Sequence, residues 1–198
     1  PIDLFEELEE SKKSILITDH HYAPEYDATE RSGRFCVQYL TALNQPSAWE
    51  VIDEWKAQCL EWCHARLEDG KFGDQKYLED WPDKHGQVVH IANPPERFLA
   101  PWNTDMISRS NNASEPILYH FQGARYVGKN KIVLGINHKI PSNVRGIFKE
   151  YGNHLAKNIQ LLESEGIDTS VFPLGKRGPH WYRKWTRILR QNLILHEW

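Results

Sequence analysis

Short apolar runs alternate with helix-period segments along most of this chain, and that alternation restricts it to an α/β architecture. Ser14–Thr18, Phe35–Leu40, Val88–Ile91, Pro116–Phe121 and Lys131–Ile136 read as strands, the last two around a Gly-bearing turn. Residues 2–12 read as a short acidic helix with Pro1 in its first turn. Over 47–69, Trp49, Ile52, Cys59, Trp62, Cys63 and Leu67 recur at spacings of three, four and seven, which predicts a long helix with Gly70 as its C-terminal cap. A short helix is expected over 74–81, stopped at Pro82. Further helices are expected over 143–165, ending at Gly166, and over 179–196. The expected fold is one mixed sheet flanked by helices, a domain over 1–170 with a basic aromatic helix (176–198) docked on it. The polar, irregular stretch 19–34 has the character of a loop over a site.

Composition enters at three points. The net charge of −3 gives no whole-chain electrostatic case for nucleic acid. The eight Trp serve cores first, but planar rings also stack on sugars and bases. Three Cys without a Cys-x-x-Cys pair lack zinc-site spacing and fit a reducing compartment, so a cytoplasmic protein is expected. No apolar run approaches the ~20 residues of a membrane span. Lys176, Arg177, Arg183, Lys184, Arg187 and Arg190 lie among Trp181, Tyr182, Trp185, Ile188 and Leu189. Such a basic amphipathic segment can dock its apolar face on the domain or lie on an anionic membrane surface. Met106 is the single Met, so the chain, starting at Pro1, reads as beginning inside a larger gene product.

Two places carry candidate chemistry. In Arg66–Pro82 a helical pattern stops, a Gly-containing turn follows, and Asp74 and Gln75 stand at a predicted helix start. Unpaired N–H groups there attract anions and polar ligands. Asp74 also fits a plain N-cap, worth about 1 kcal/mol. In His120-Phe-Gln-Gly-Ala-Arg125 a metal-ligand side chain, a flexible backbone and a fixed cation fall within six residues, the parts that diphosphate–metal chemistry needs. The bland alternatives are a satisfied core histidine and a surface ion pair. Cys59 and Cys63 read as helix core. His20 and His21 follow a strand end, where α/β proteins often put ligands, although adjacent loop histidines are usually structural. Asp19, Glu25, Tyr26 and Arg34 stand near them as acceptor contacts.

At these residues the chain resembles the nucleotide-sugar glycosyltransferases of the GT-A type, especially those akin to glycosyltransferase family 8. Phe35-Cys-Val-Gln-Tyr-Leu40 is similar to the family's Phe-Asn-x-Gly strand. Gly73-Asp-Gln-Lys-Tyr-Leu78 resembles its Asp-Gln-x-x-Leu helix start. Leu99-Ala-Pro-Trp-Asn103 is similar to the loop ending in Trp-Asn, and His120-Phe-Gln-Gly-Ala-Arg125 to the His-x-x-Gly-x-Lys element. The resemblance covers roughly residues 1–130 and implies the C-terminal part of a GT-A domain. It implies that Asp74 and Gln75 face the anomeric carbon and the acceptor. His120 would ligate a divalent metal, usually manganese. Gly123 would let the backbone approach the phosphates, Arg125 would stand where the family has Lys, and Trp102 and Asn103 would border the sugar or acceptor pocket.

The implied activity is transfer of a sugar from a nucleotide-diphosphate donor to a glycan or other acceptor, with retention of configuration. The family's Asp-x-Asp metal element is missing from this sequence, and Cys36 and Gln38 replace the usual Asn and Gly. The chain is therefore expected to be a truncated form, weak or inactive by itself and short of full manganese affinity. The alternative expectation is a non-catalytic interaction protein on the same scaffold, with an exposed strand edge that pairs with a second copy.

Overall fold

The computed structural model describes residues 2–104, 116–126, 131–136, 138–169 and 193–197. The described helices are α1 (Ile2–Ser11), α2 (Thr29–Ser32), α3 (Pro46–Glu61), α4 (Trp81–Lys84) and α5 (Arg145–Ser164). The strands are β1 (Ile15–Asp19), β2 (Phe35–Ala42), β3 (Val89–Ile91), β4 (Phe98–Leu99), β5 (Leu118–Tyr119), β6 (Arg125–Tyr126), β7 (Lys131–Ile136) and β8 (Leu193–Glu197). The class is α/β, as the alternation predicted. The strands form small separate sheets, β2-β1-β3, β4-β5 and β6-β7-β8, rather than a single one. The first is mixed, because β1 runs antiparallel to β2 and parallel to β3. The chain divides into two compact units, Pro1–Leu99 with Asn112–Tyr119, and Ala100–Asn111 with His120–Trp198.

In the first unit β1 is apolar on both faces. Ile15 and Ile17 join a core with Phe35, Ala48, Val51, Leu78, Trp81 and Val89. Leu16, on the opposite face, joins Leu4 and Leu8 of α1 with Ala92 and Phe98. A strand covered on both sides needs this unbroken apolar run. Full burial of each such side chain stabilises by roughly 1.5–3 kcal/mol. Leu4 and Leu8 sit one turn apart on α1, while Phe5, off that stripe, stays half exposed.

Two expectations fail between 62 and 82. α3 ends at Glu61, because Trp62 turns to extended backbone. The Tyr77 hydroxyl donates to the Gln58 and Trp62 carbonyls at 3.3 and 2.8 Å and closes the helix end. Cys63 is exposed, and so is Leu67, instead of lining a helix core. Gly70 is no cap: Asp69 and Gly70 have φ of 50° and 75°, and Glu68 and Lys71 exchange both backbone hydrogen bonds. That is a tight hairpin turn of the Asp-Gly kind. The predicted 74–81 helix is a 3-10 helix over Gln75–Asp80, and Pro82 sits in the first turn of α4 instead of stopping a helix.

In the second unit β7 lies between antiparallel β6 and β8. Ile132 and Leu134 of β7 and Phe148 and Ala156 of α5 are buried. α5 closes as expected on Gly166, whose φ is 79°. The expected strand over Pro116–Phe121 shortens to β5, parallel to β4; the partner of β7 on that side is β6. The helix predicted over 179–196 is overturned at its end, since 193–197 are strand β8. The Leu-Ile-Leu run there suits either period, and pairing with β7 selects the strand. Residues 170–192 lie outside the described residues, and with them most of that predicted segment. Among the described residues no helix is long and apolar enough to cross a membrane.

Candidate functional site

The sequence-predicted residues fall in both units: Asp74 and Gln75 in the first, Trp102, Asn103, His120, Gly123 and Arg125 in the second.

Asp74 precedes the 3-10 helix Gln75–Asp80 in helical rather than extended backbone, and its side chain makes no capping bond. The plain N-cap reading therefore fails, and the carboxylate of this half-buried residue is not committed to the helix end. The Asp74 backbone is anchored instead: its carbonyl accepts the Trp55 indole N–H at 2.9 Å. Burial pushes the Cys36 thiol up to about 11, with the Asp74 charge as a smaller contribution, so the two residues share one neighbourhood.

Gln75 belongs to a set of side chains on one short helix that hold the 29–34 turn. The Gln75 amide Nε2 donates to the Ser32 carbonyl at 3.0 Å, and Lys76 Nζ donates to the Thr29 carbonyl at 3.3 Å. Glu79 Oε2 accepts from the Arg34 N–H at 2.9 Å. Gly33, with φ 87° and ψ 165°, makes the turn possible. A Cβ there would stand 2.7 Å from Glu79 Oε2.

The 19–34 stretch is irregular, as expected, but part of it is interior: His20, Ala23 and Ser32 are buried. His20 stacks on Tyr22 with ring centroids 4.5 Å apart. Burial pushes the Tyr22 phenol up to about 12. Arg34 Nε donates to Asp19 Oδ2 at 2.6 Å, and Asp19 Oδ1 accepts the His21 N–H at 2.7 Å, with His21 at φ 47°. The strand end after β1 is thus a braced polar corner.

In the second unit Trp102 and Asn103 are buried, at 7% and 1% exposure. Asn103 Oδ1 accepts the Ala100 N–H at 2.7 Å, and Thr104 Oγ1 donates to the Ala100 carbonyl at 2.6 Å. These bonds give the Ala-Pro-Trp-Asn loop a fixed form. The Trp102 ring meets His120 at 5.5 Å and His138 at 6.3 Å between centroids. Burial lowers the His120 pKa from its ordinary value, so the neutral imidazole, the ligand form, is favoured. After His120 the chain turns back: Ala124 N–H donates to the Phe121 carbonyl at 3.0 Å, and Gly123 has φ 86°. A turn with positive φ at its third residue selects glycine. Arg125 follows at the start of β6 and is exposed.

Metal chemistry has one donor here. His120 can offer a single neutral imidazole, and among the described residues no group of three or more His, Cys, Asp or Glu stands ready to hold a metal ion.

Sequence reasoning missed His138, which no motif contains, and the packing of His20. It also missed the pair between His90 Nε2 and Glu7 Oε1, 2.8 Å apart, which joins β3 to α1. Partners far apart in sequence leave no local signal of that kind.

Two curated proteins of Bacillus subtilis (strain 168) are similar to the chain. The uncharacterized protein YfnD is 26% identical over 163 residues, 76% of this chain and 52% of YfnD. The uncharacterized protein YfnF is 27% identical over 144 residues, 67% of this chain and 47% of YfnF. The chain spans about half the length of the curated relatives it matches. No family model and no solved structure matches it.

Proposed function

We propose that the chain belongs to a protein that transfers a sugar from a nucleotide-diphosphate donor to an acceptor, on a GT-A-type scaffold akin to glycosyltransferase family 8. The observation that carries the reading is the His120–Arg125 turn: a half-buried imidazole kept neutral, beside the buried Trp102 ring, then a positive-φ glycine and an exposed guanidinium. In this reading the His120 nitrogen is a ligand for a divalent ion, manganese by the resemblance. Gly123 lets backbone approach the diphosphate, and Arg125 offers it a forked pair of donors. Trp102 walls the donor side, while Asn103 fixes the loop that carries Trp102. Bond cleavage leaves negative charge on a phosphate oxygen, which the guanidinium stabilises as it develops. A divalent metal held by His120 would supply Lewis-acid stabilisation of the same charge. The sugar becomes oxocarbenium-like, and the resemblance gives its stabilisation to the Asp74 carboxylate and the Gln75 amide oxygen. The setting in this reading is cytoplasmic.

Calorimetric titration of the chain with manganese plus UDP or GDP tests the reading. The wild type is expected to bind, and His120→Ala to lose about tenfold in affinity, about 1.4 kcal/mol. Identical heats from both proteins would remove His120 from the metal role.

A further inference from the structure

The end of α3 brings two of the three Cys together, and the activity above uses neither. α3 stops at Glu61, and Trp62 leaves it in extended backbone with φ −152° and ψ 123°. The Trp62 N–H still closes on the Gln58 carbonyl at 2.9 Å. The Tyr77 hydroxyl reaches that same Gln58 carbonyl at 3.3 Å and the Trp62 carbonyl at 2.8 Å. Those two carbonyls belong to the peptide groups that lead into Cys59 and Cys63. The two cysteines therefore start one helical turn apart, about 5.4 Å. A disulfide spans roughly 4.4–6.8 Å between Cα atoms.

The side chains meet as well. Cys63 is a hydrogen-bonding neighbour of the Cys59 thiol. The Tyr77 phenol is pushed up by desolvation first and then by Cys59, Glu61 and Cys63, so both sulfurs stand around that hydroxyl. The three Cys differ in access: Cys63 is exposed, Cys59 half-buried and Cys36 buried. Burial pushes the Cys59 thiol up to about 11, with Cys63 and Asp74 adding to the rise. A thiol held protonated is a poor nucleophile, so an oxidant arriving from solvent meets Cys63 first. An exposed thiol with a second one beside it is the arrangement that reversible oxidation requires.

We propose that Cys59 and Cys63 form a reversible, peroxide-reactive thiol pair, with Cys63 as the attacking sulfur and Cys59 as the resolving one. The Cys63 sulfur attacks one oxygen of hydrogen peroxide and the O–O bond breaks. The departing hydroxide takes the Cys63 proton and leaves as water, and Cys63 becomes a sulfenic acid. The Cys59 sulfur then attacks the Cys63 sulfur and the S–O bond breaks. That oxygen leaves with the Cys59 proton as a second water. The two thiols give up two electrons, hydrogen peroxide takes them, and a dithiol reductant reverses the bond by exchange. The disulfide fastens the extended departure of Trp62 to the last turn of α3. It thereby fixes the foot of the hairpin that follows, where the Gly73 N–H donates to the His64 carbonyl at 2.9 Å.

The experiment treats the full chain with hydrogen peroxide in small excess, removes the peroxide, and counts free thiols by unfolding in iodoacetamide and mass spectrometry. Proteolytic peptides locate the bond. The wild type is expected to fall from three free thiols to one, at Cys36, and to regain all three after dithiothreitol. Closure is expected to be about tenfold faster in the folded chain than in the same chain in urea, because the fold holds the sulfurs together. Cys59→Ser is expected to stop at a sulfenic acid on Cys63 that dimedone captures, and Cys63→Ser to keep both of its thiols at the same dose. Three thiols left in the wild type, a bond to Cys36 or between chains, equal rates with and without urea, or oxidation of Cys63→Ser as fast as the wild type would each overturn the proposal.

Discussion

At the scale of single residues, the glycines of the first unit separate two demands. Gly33 adopts φ 87°, ψ 165°, a region essentially closed to side chains, and a Cβ there would also press on Glu79 Oε2. That carboxylate cannot simply swing away, because it receives the Arg34 N–H. Gly70 has φ 75° but open space around its Cβ position. Gly33→Ala is expected to destabilise by on the order of 3 kcal/mol and Gly70→Ala by about 1 kcal/mol, read from urea unfolding. The reverse order would contradict the clamp on the 29–34 turn. His120 gives a pH prediction. Burial holds its folded pKa below the ordinary 6.5. The unfolded chain therefore binds a proton over an interval below 6.5 in which the folded chain does not. The stability this group contributes is complete above 6.5 and is lost as pH falls through the folded value. His120→Gln should flatten the fall of the urea midpoint over that interval; a variant profile parallel to the wild type would refute burial as the cause.

At the scale of elements, the end of α3 depends on a residue from another element. Tyr77 donates to carbonyls at Gln58 and Trp62, and Tyr77→Phe is expected to destabilise by about 1 kcal/mol, with fraying of the last turn visible in amide exchange. This dependence explains what could be read from the sequence. β1, β2, β3 and β7 were legible because their runs of two or three consecutive apolar residues, bounded by polar or turn residues, have few other ways to be buried. α1 was legible from its Pro-led acidic entry and α5 from the Gly166 that ends it. The stretch 62–69 continues the α3 spacing yet is not helix, because Asp69-Gly70 closes a turn that pulls the chain back. The local signal for that turn was present and was outweighed by periodicity. For 193–197 the deciding fact was a partner strand, β7, which no window of the segment itself contains. At the candidate site, the His120–Arg125 turn was legible because its residues are consecutive. The meeting of Trp102 with His138 was not, since only packing brings those two rings together.

At the scale of the whole molecule, two compact units carry the predicted residues in separate sets, and the chain spans about half of YfnD and YfnF. The stretch 176–190 carries six Lys or Arg in a chain of net charge −3, so the rest of the molecule is more acidic than the total suggests. β8, which comes after that stretch in the sequence, pairs with β7. The chain is expected to stay in the supernatant with phosphatidylglycerol vesicles at about 0.15 M salt, where screening acts over ~8 Å. Pelleting at that salt would place the segment on the bilayer instead.

The parallel pairing of β1 with β3 also has a consequence for biosynthesis. β3 leaves the ribosome only after β2, α3 and the Asp-Gly turn have been made. A nascent chain paused before Val89 holds a two-stranded ribbon with one naked edge of β1, the species most open to chaperone capture or to mispairing with a neighbouring copy.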